Sequence, residues 1–546
     1  MKITFLRSVF AGILALSIVS GNGQDHNAQR DAVDLLFNTY SAATPGVYVL
    51  VTSGDSLVIN KGYGMEHIKK NIPMTSTSLL DIGSIAKPIT AYGIYLLSKN
   101  KQLSLNDRII KYLPDLPKVM EDIEIQHLLH HTSGLRDWPG FLSLSGKSLS
   151  AKIDLPLIYS YVKKQERLNF EPGEAFLYSN TGYNLLALII ASVTKESFPS
   201  WIKKHVFLPL GMENARCYSG KEKIAQDYFK TADGFKTLAT NLQAYGSSSV
   251  VLTPTDMLQW LRFLQDSASH GTALYEMLRQ NGVVTDGSKV PYGLGVDITN
   301  YKNYMTLGHG GAWAGFRAHF LIVPELDMSV ALLSNTNSFI ALDECHKVLD
   351  LFLPVQSSES PENDTIVDTA ANTTLISDIA SLSGIYKRGP GKYIAIEERN
   401  NQPHIAVSGG NFYPMELQDD LSFWIPAYKA SIRFVKNKEG IIARYKGLSC
   451  SKMPPSRPMS DALKASLCGT YYSSELDAKC SVAMVDNRLV FETANTIKVP
   501  LTHAYNLEFT GNRFWIEVVE FIGKNEEITG LEVTELRSRK QYFRKM

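Results

Sequence analysis

The sequence predicts a mixed α/β (α+β) chain in which strands at both ends of a long N-terminal region enclose helices, followed by two small antiparallel β-barrels. Three observations carry this expectation. Val47–Val51 and Ser56–Ile59 read as strands around a Ser53-Gly54-Asp55 turn, and strands return between Tyr304 and Asn335, with apolar stretches of helical length between the two groups. Pro354–Leu375 is rich in Ser, Pro, Asn, Thr and acids and lacks hydrophobic periodicity, so it reads as a linker. Beyond it, Ser381-Leu382-Ser383-Gly384-Ile385-Tyr386 recurs as Ser466-Leu467-Cys468-Gly469-Thr470-Tyr471, an internal repeat.

Length and composition bound the rest. A chain of 546 residues exceeds what one core usually organises, and 44% hydrophobic residues, 20% charged residues and a net charge of +1 are those of an ordinary globular protein without a basic nucleic-acid footprint. Lys2 and Arg7 precede a mostly apolar run from Val9 to Val19 and then the small polar residues Ser20 to Gly23, a secretory signal pattern. The run is shorter than the roughly 20 residues of a membrane span, so cleavage near Gly23 is expected over the alternative of an uncleaved anchor. No cysteine follows the run, which argues against a lipoprotein. Cys217, Cys345, Cys450, Cys468 and Cys480 form no C-x-x-C pair. Oxidation of Cys450 with Cys468, or Cys468 with Cys480, is conceivable in an exported chain, but a structural role as thiols is the simpler reading.

Taken in order, Asp31–Ala43 reads as a helix, the two strands follow, and a second helix begins at Ser84 within Asp81-Ile82-Gly83-Ser84-Ile85-Ala86-Lys87-Pro88. Ser84 and Lys87 are one turn apart on one face, and Pro88 falls in the first turn, where a missing N–H is tolerated. An amine beside a serine hydroxyl can take its proton, so this spacing permits nucleophilic catalysis. The same spacing occurs at Ser98/Lys101, Ser192/Lys195, Ser200/Lys203 and Ser449/Lys452, so it decides nothing alone.

Glu124–Leu135 reads as a short helix closed by glycine, with His127 and His131 four residues apart. No H-E-x-x-H pattern or third acidic ligand accompanies them, so packing histidines are expected rather than a metal face. Tyr178-Ser179-Asn180 falls on a loop before an apolar helix from Leu185 to Val193, where a tyrosine near a cation such as Lys87 can handle protons. Tyr304–Pro324 reads as a strand, a glycine-dense turn through Gly308-His309-Gly310-Gly311, and a second strand. Such an edge can aim backbone N–H groups at a developing oxyanion.

In the order Ser-x-x-Lys, Tyr-x-Asn, His-x-Gly, with His131-Thr132-Ser133-Gly134-Leu135, Glu171-Pro172-Gly173 and Tyr292-Gly293-Leu294-Gly295 around them, residues 31 to about 353 resemble the serine beta-lactamase and penicillin-binding-protein superfamily. The likeness is to its class C-like branch, which includes D-aminopeptidases, DD-carboxypeptidases and esterases. It implies a beta-lactamase-like transpeptidase fold, an antiparallel sheet flanked by helices and joined to a helical subdomain. It further implies Ser84 as nucleophile, Lys87 and Tyr178 as a shared proton-handling pair, and Asn180 as a donor to the substrate amide. The N–H groups of Ser84 and Ala312 would form the oxyanion hole, with His309, Gly310 and Gly311 as substrate-binding edge. No metal or organic cofactor is expected.

His309-Gly310-Gly311 stands where many beta-lactamases and penicillin-binding proteins carry Lys-Thr-Gly. Histidine, with a reference pKa of ~6.5, is mostly neutral at neutral pH, so the resemblance favours a peptidase or esterase over efficient beta-lactam turnover. The repeated C-terminal segment is similar to the lipocalin-like modules appended to some peptidases of this branch. The expected layout is a signal peptide at 1–23, the hydrolase at 24–353, a linker at 354–377, and barrels at 378–456 and 457–546. The function expected is a secreted, periplasmic or extracellular serine hydrolase acting on small-molecule or peptide substrates, most simply a peptidase on D-amino-acid-containing or cell-wall-derived peptides. Alternatives are a carboxylesterase, a weak beta-lactamase, or a non-catalytic penicillin- or peptide-binding sensor. No nucleic-acid partner and no membrane span in the mature chain are expected.

Overall fold

The computed structural model describes residues 26–354 apart from 148–149 and 239–240, and residues 379–546 apart from short stretches at 390–391, 400–401, 408–411, 420–421, 429, 438–439, 446–447, 455–458, 495–496, 514–515 and 525–526. The signal segment and almost all of the linker lie outside the described residues.

Helix α1 (Asn27–Leu36) begins and ends earlier than the sequence predicts. The run Asn38-Thr39-Tyr40-Ser41 consists of poor helix formers, and the chain turns there instead. Strands β1 (Val47–Ser53) and β2 (Ser56–Tyr63) pair around the predicted turn, where Gly54 has φ +53°. Helix α2 (Ala86–Lys99) is preceded by a 3₁₀ turn at Gly83–Ile85, so Ser84 sits just before the helix proper. The buried helix α3 (Asn180–Thr194) starts five residues earlier than the apolar pattern indicates. Helix α4 (Pro254–Ser269) carries a full capping box between Thr253 and Asp256.

Strands β3 (Asp297–Tyr301), β4 (Tyr304–Trp313), β5 (Phe316–Val323) and β6 (Met328–Ser334) complete an antiparallel sheet of order β3-β4-β5-β6-β1-β2, and α5 (Ala341–Asp350) closes the unit. The glycines at 308, 310 and 311 are inside β4, not in its turn as the sequence reading has it; the turn is Ala314-Gly315.

Alternation across the sheet explains its two covered faces. Val47, Val49, Val51, Val330 and Leu332 pack with Val33, Phe37, Cys345 and Val348 of the terminal helices. Tyr48, Leu50, Ala331 and Leu333 face the other way, into the larger core that holds α2, α3 and α4. Among the described residues no single helix is long and apolar enough to cross a membrane.

Strands from 469 to 545 form a closed eight-stranded barrel, sealed where Tyr471 and Tyr472 pair with Lys545 and Arg544. Strands from 384 to 452 form a nine-stranded sheet that nearly closes, its end strands Tyr413–Pro414 and Glu416–Asp419 flanking Met415. The sequence repeat is also a structural one. Tyr386 donates to the Leu382 carbonyl at 2.8 Å and Tyr471 to that of Leu467 at 2.7 Å. Lys452 reaches the Ser381 carbonyl as Lys545 reaches that of Ser466, each 5.9 Å from the repeat tyrosine ring. Phe434 and Phe521 stack edge-on against the two tyrosines. Both interiors are filled with such side chains, so the likeness to lipocalins is a loose one. Cys468 donates its thiol to the Lys464 carbonyl, and neither disulfide that would involve it is formed.

The second barrel is packed on the helical side of the hydrolase unit. Phe141, Leu144 and Tyr161 join its core cluster, and Arg136 forms a 2.8 Å ion pair with Glu475, the two side chains 1% and 9% exposed.

Candidate active site

The turn at Gly83–Ile85 presents Ser84 half-buried at the mouth of α2, and the first turn of that helix places Lys87 fully buried beneath it. Lys87 Nζ lies 3.1 Å from Ser84 Oγ, 2.7 Å from Asn180 Oδ1 and 2.9 Å from the Ser247 carbonyl. The two carbonyl oxygens can only accept, so they take two N–H bonds whatever the charge on the amine. The third direction therefore decides the chemistry: an ammonium donates there to Ser84, and a neutral amine aims its lone pair at the serine proton. Burial pushes the Lys87 pKa well below its ordinary value, and Arg537 acts in the same direction, while Asp137 and Asp297 oppose it.

Tyr178 stands over this group, its ring centroid 4.7 Å from Lys87 Nζ. Burial raises its pKa, against the opposing influence of Ser84 and Arg537. Desolvation outweighs Ser84 and Arg537, which keeps the hydroxyl a neutral phenol able to donate its proton.

Asn180 is committed on both sides of its amide. Its Oδ1 accepts from Lys87, and its Nδ2 donates to Asp137 Oδ2 at 2.9 Å, so at most one N–H remains for a substrate. The other Asp137 oxygen accepts the N–H groups of Asn180 and Thr181 at 2.7 and 3.1 Å. An acceptor from a distant loop thus satisfies the first donors of α3, and Ser179 Oγ at the N-cap accepts the next from Gly182 N, which together start the helix at Asn180.

Strand β4 forms the opposite wall. His309 is 3% exposed, with Nδ1 at 2.6 Å from the Gly310 carbonyl and Nε2 at 3.0 Å from the Tyr292 hydroxyl. A carbonyl must accept, so the proton is assigned to Nδ1, and Tyr292 donates to Nε2. Burial first, then Lys87, lowers its pKa to about 3. The imidazole is neutral with both nitrogens engaged, so it offers no charge to a substrate carboxylate.

A Cβ at Gly310 would lie 3.0 Å from the His319 ring, so the residue packs away from the catalytic cluster. A Cβ at Gly311 would lie 1.9 Å from the Ile82 carbonyl, and one at Gly83, where φ is +52°, would lie 2.6 Å from Ala312 N. These bare backbones let β4 touch the nucleophile turn and bring the backbone of Ala312 beside that of Ser84.

His127 accepts from the Glu124 N–H in a capping box, and His131 packs under Tyr178 with ring centroids 4.3 Å apart. Among the described residues no cluster of three or more His, Cys, Asp or Glu side chains is placed to hold a metal ion. Beyond Trp313, a cleft of about 500 Å³ runs between Trp313, Phe316, Tyr218 and Asp81.

Asp137, Ser247 and Arg537 are the site residues that lie outside every quoted motif. Tyr292 sits within a quoted motif but its hydroxyl role is spatial. Arg537 comes from the barrel, its guanidinium 4.6 Å from the Tyr178 ring centroid.

A serine just before a helix, whose hydroxyl faces a buried amine and a phenol beside a sheet flanked by helices, defines a serine hydrolase. The chain belongs to the beta-lactamase family, whose model matches residues 29–349. It is 24% identical over 410 residues to penicillin-binding protein 4* of Bacillus subtilis (strain 168), covering 72% of this chain and 90% of that protein. It is 26% identical over 362 residues to a D-aminopeptidase of Gluconobacter oxydans (strain 621H), covering 65% and 68%. Among solved structures, the octameric penicillin-binding protein homologue from Pyrococcus abyssi superposes with a TM-score of 0.54 at 19% identity, over 78% of this chain and 99% of that one. The D-amino acid amidase from Ochrobactrum anthropi SV3 superposes with a TM-score of 0.51 at 24% identity, over 60% and 98%. At these identities the superpositions establish the fold.

Proposed function

We propose that this serine hydrolase is exported and cleaves amide bonds in D-amino-acid-containing or cell-wall-derived peptides through an acyl-enzyme on Ser84. The observation that carries the chemistry is the 3.1 Å contact between Lys87 Nζ and Ser84 Oγ, with the other two directions of the amine held by carbonyl oxygens. The D-aminopeptidase relative supports the peptide class, and the apolar run at Val9–Val19 supports export.

Neutral Lys87 takes the Ser84 proton as Oγ bonds to the substrate carbonyl carbon, and the carbonyl electron pair moves onto oxygen. The N–H groups of Ser84 and Ala312 stabilise that oxyanion, each donor being worth ~3 to 4 kcal/mol in such sites. As the tetrahedral species collapses, the C–N bond breaks and the amine leaves with a proton from Tyr178, which the Lys87 ammonium replaces. Water then attacks the ester, gives one proton to Lys87, and the acid departs as Oγ is reprotonated.

At the β4 edge, where the family's frequent lysine would hold a beta-lactam carboxylate, His309 offers no cation, so slow or absent nitrocefin turnover is expected. The purified chain is incubated with a fluorophosphonate and labelled penicillin, then assayed on D-aminoacyl amides, D-Ala-D-Ala peptides and p-nitrophenyl esters. Labelling at Ser84, lost in Ser84→Ala, with D-amide turnover supports the proposal. Turnover confined to esters makes the enzyme an esterase, and no acylation at all returns it to a binding protein.

A further inference from the structure

We infer that Arg537, carried onto the Tyr178 ring by the turn between strands β7 (Glu527–Glu535) and β8 (Gln541–Lys545) of the second barrel, selects substrates with a carboxylate beside the Tyr178 loop. The inference deepens the hydrolase reading and rests on it for the identity of the site around Ser84.

The turn is fixed on both sides of the arginine. The Arg537 carbonyl accepts from Asp137 N at 3.3 Å and from Asn169 Nδ2 at 3.0 Å. Ser538 Oγ donates to the Asp137 carbonyl at 2.9 Å, and Arg539 N donates to Asn169 Oδ1 at 2.8 Å. From this anchored turn the side chain crosses the face of Tyr178, where the guanidinium stacks at 4.6 Å from the centroid.

The arginine is positioned without being consumed. Its contact with Asp137 Oδ2 is long, 3.5 Å, and that carboxylate already accepts three shorter bonds from Asn180 and Thr181. Asp137 is 2% exposed whereas Arg537 is 37% exposed, so the charge of the pair that remains accessible is the cation. The other basic groups here cannot take its place: Lys87 is buried with its three directions assigned, and His309 is neutral with both nitrogens engaged. A stacked guanidinium presents a planar fork that matches a carboxylate in two parallel bonds and repels an ammonium. The part of the substrate lying against Tyr178 is therefore acidic, and a free amino terminus at that place is disfavoured.

The test uses the full chain and p-nitrophenyl esters of acyl chains ending in a carboxylate, a methyl or an ammonium group, at several chain lengths. The readout is the ratio of kcat/KM for the carboxylate ester over the ammonium ester. The wild-type ratio is expected to exceed about tenfold at the best length, to shrink in Arg537→Lys, to approach unity in Arg537→Gln, and to invert in Arg537→Glu. Thermal midpoints of each variant report whether the barrel stays docked, and Arg537→Lys keeps the charge if docking suffers in the others. The same acyl groups as amides are titrated by calorimetry into Ser84→Ala, which reads selection without turnover. Tighter binding of the carboxylate amide there, with no esterolysis by the wild type, refutes the hydrolase reading and sustains this one. Ratios and affinities that do not follow the charge at position 537 overturn it.

Discussion

Asp137 shows how one carboxylate sets the geometry of a catalytic pair it does not touch. It orients the Asn180 amide so that Oδ1 meets Lys87, and it accepts the first N–H groups of α3, where Asn180 stands at the helix start. Asp137→Ala leaves the Ser179 cap but removes the acceptor of the first two helical N–H groups and frees the amide to turn. Loss of such an acceptor typically costs about 1 kcal/mol, and because Lys87 then loses a fixed acceptor, kcat is expected to fall by more than KM changes. The pH profile separates a positioning role from a merely structural one. The negative charge of Asp137 favours the ammonium form of Lys87, so its removal lowers the Lys87 pKa further, and the acid limb of kcat/KM shifts to lower pH. An acid limb that stays put or moves upward refutes that assignment. Nothing local marks Asp137 in the sequence, since its partners lie 43 and 44 residues downstream. Ser84, Lys87 and Tyr178 are legible because their spacing and order are linear properties, whereas the direction of a proton among them depends on burial, which is not.

At the scale of elements, the glycines of β4 matter more as a surface than as a turn. The sequence reading places them in a turn because glycine is common there; the structure places them in a strand because Ile82, His319 and Phe320 leave no room for side chains. Gly311→Ala would set a Cβ 1.9 Å from the Ile82 carbonyl, so either β4 or the nucleophile turn must move. Ala312 N–H is then withdrawn from Ser84, and kcat is expected to drop by about 100-fold or more, the usual consequence of losing one oxyanion donor. Unaltered kcat, with acylation at the wild-type rate, would remove Ala312 from the oxyanion hole. On the neighbouring strand, burial lowers the pKa of His319 to about 4 from an unfolded value near 6.5. Between those values the unfolded chain holds the proton and the folded chain does not, so this residue makes acidification destabilising from about pH 6.5 to about pH 4. Asp81, raised to about 7, and Asp297, raised to about 6, act with the opposite sign, because the folded state keeps their protons. The clean measurement is therefore a comparison of denaturant midpoints across that window. His319→Gln should flatten the acid slope relative to wild type by about 1.4 kcal/mol per pH unit, and parallel slopes would show that His319 does not titrate on unfolding.

The whole molecule is a hydrolase unit on whose Tyr178 ring a side chain of the second barrel, Arg537, is stacked. The internal repeat makes both barrels legible in the sequence, but not which of them docks or where. That depends on surface chemistry such as the pairing of Arg136 with Glu475, 339 residues apart. Glu475 also accepts from Glu166 N at 2.7 Å, and Arg136 donates to Gln541 Oε1 at 3.2 Å, so the pair is part of a buried network. Removing one member leaves the other charge buried and uncompensated, a loss of about 3 to 5 kcal/mol in comparable sites, while replacing both by apolar residues of similar volume is far less costly. Arg136→Ala and Glu475→Ala should each destabilise the chain strongly, and Arg136→Met with Glu475→Leu should lose much less than the sum of the single changes. If the network also holds the barrel turn against Tyr178, hydrogen exchange at residues 535–540 will rise in the single variants and recover in the double variant, in step with the charge preference of the enzyme. Additive destabilisation, or fast exchange at the turn with an unchanged charge preference, would separate docking from specificity and leave the barrel a support for the hydrolase unit.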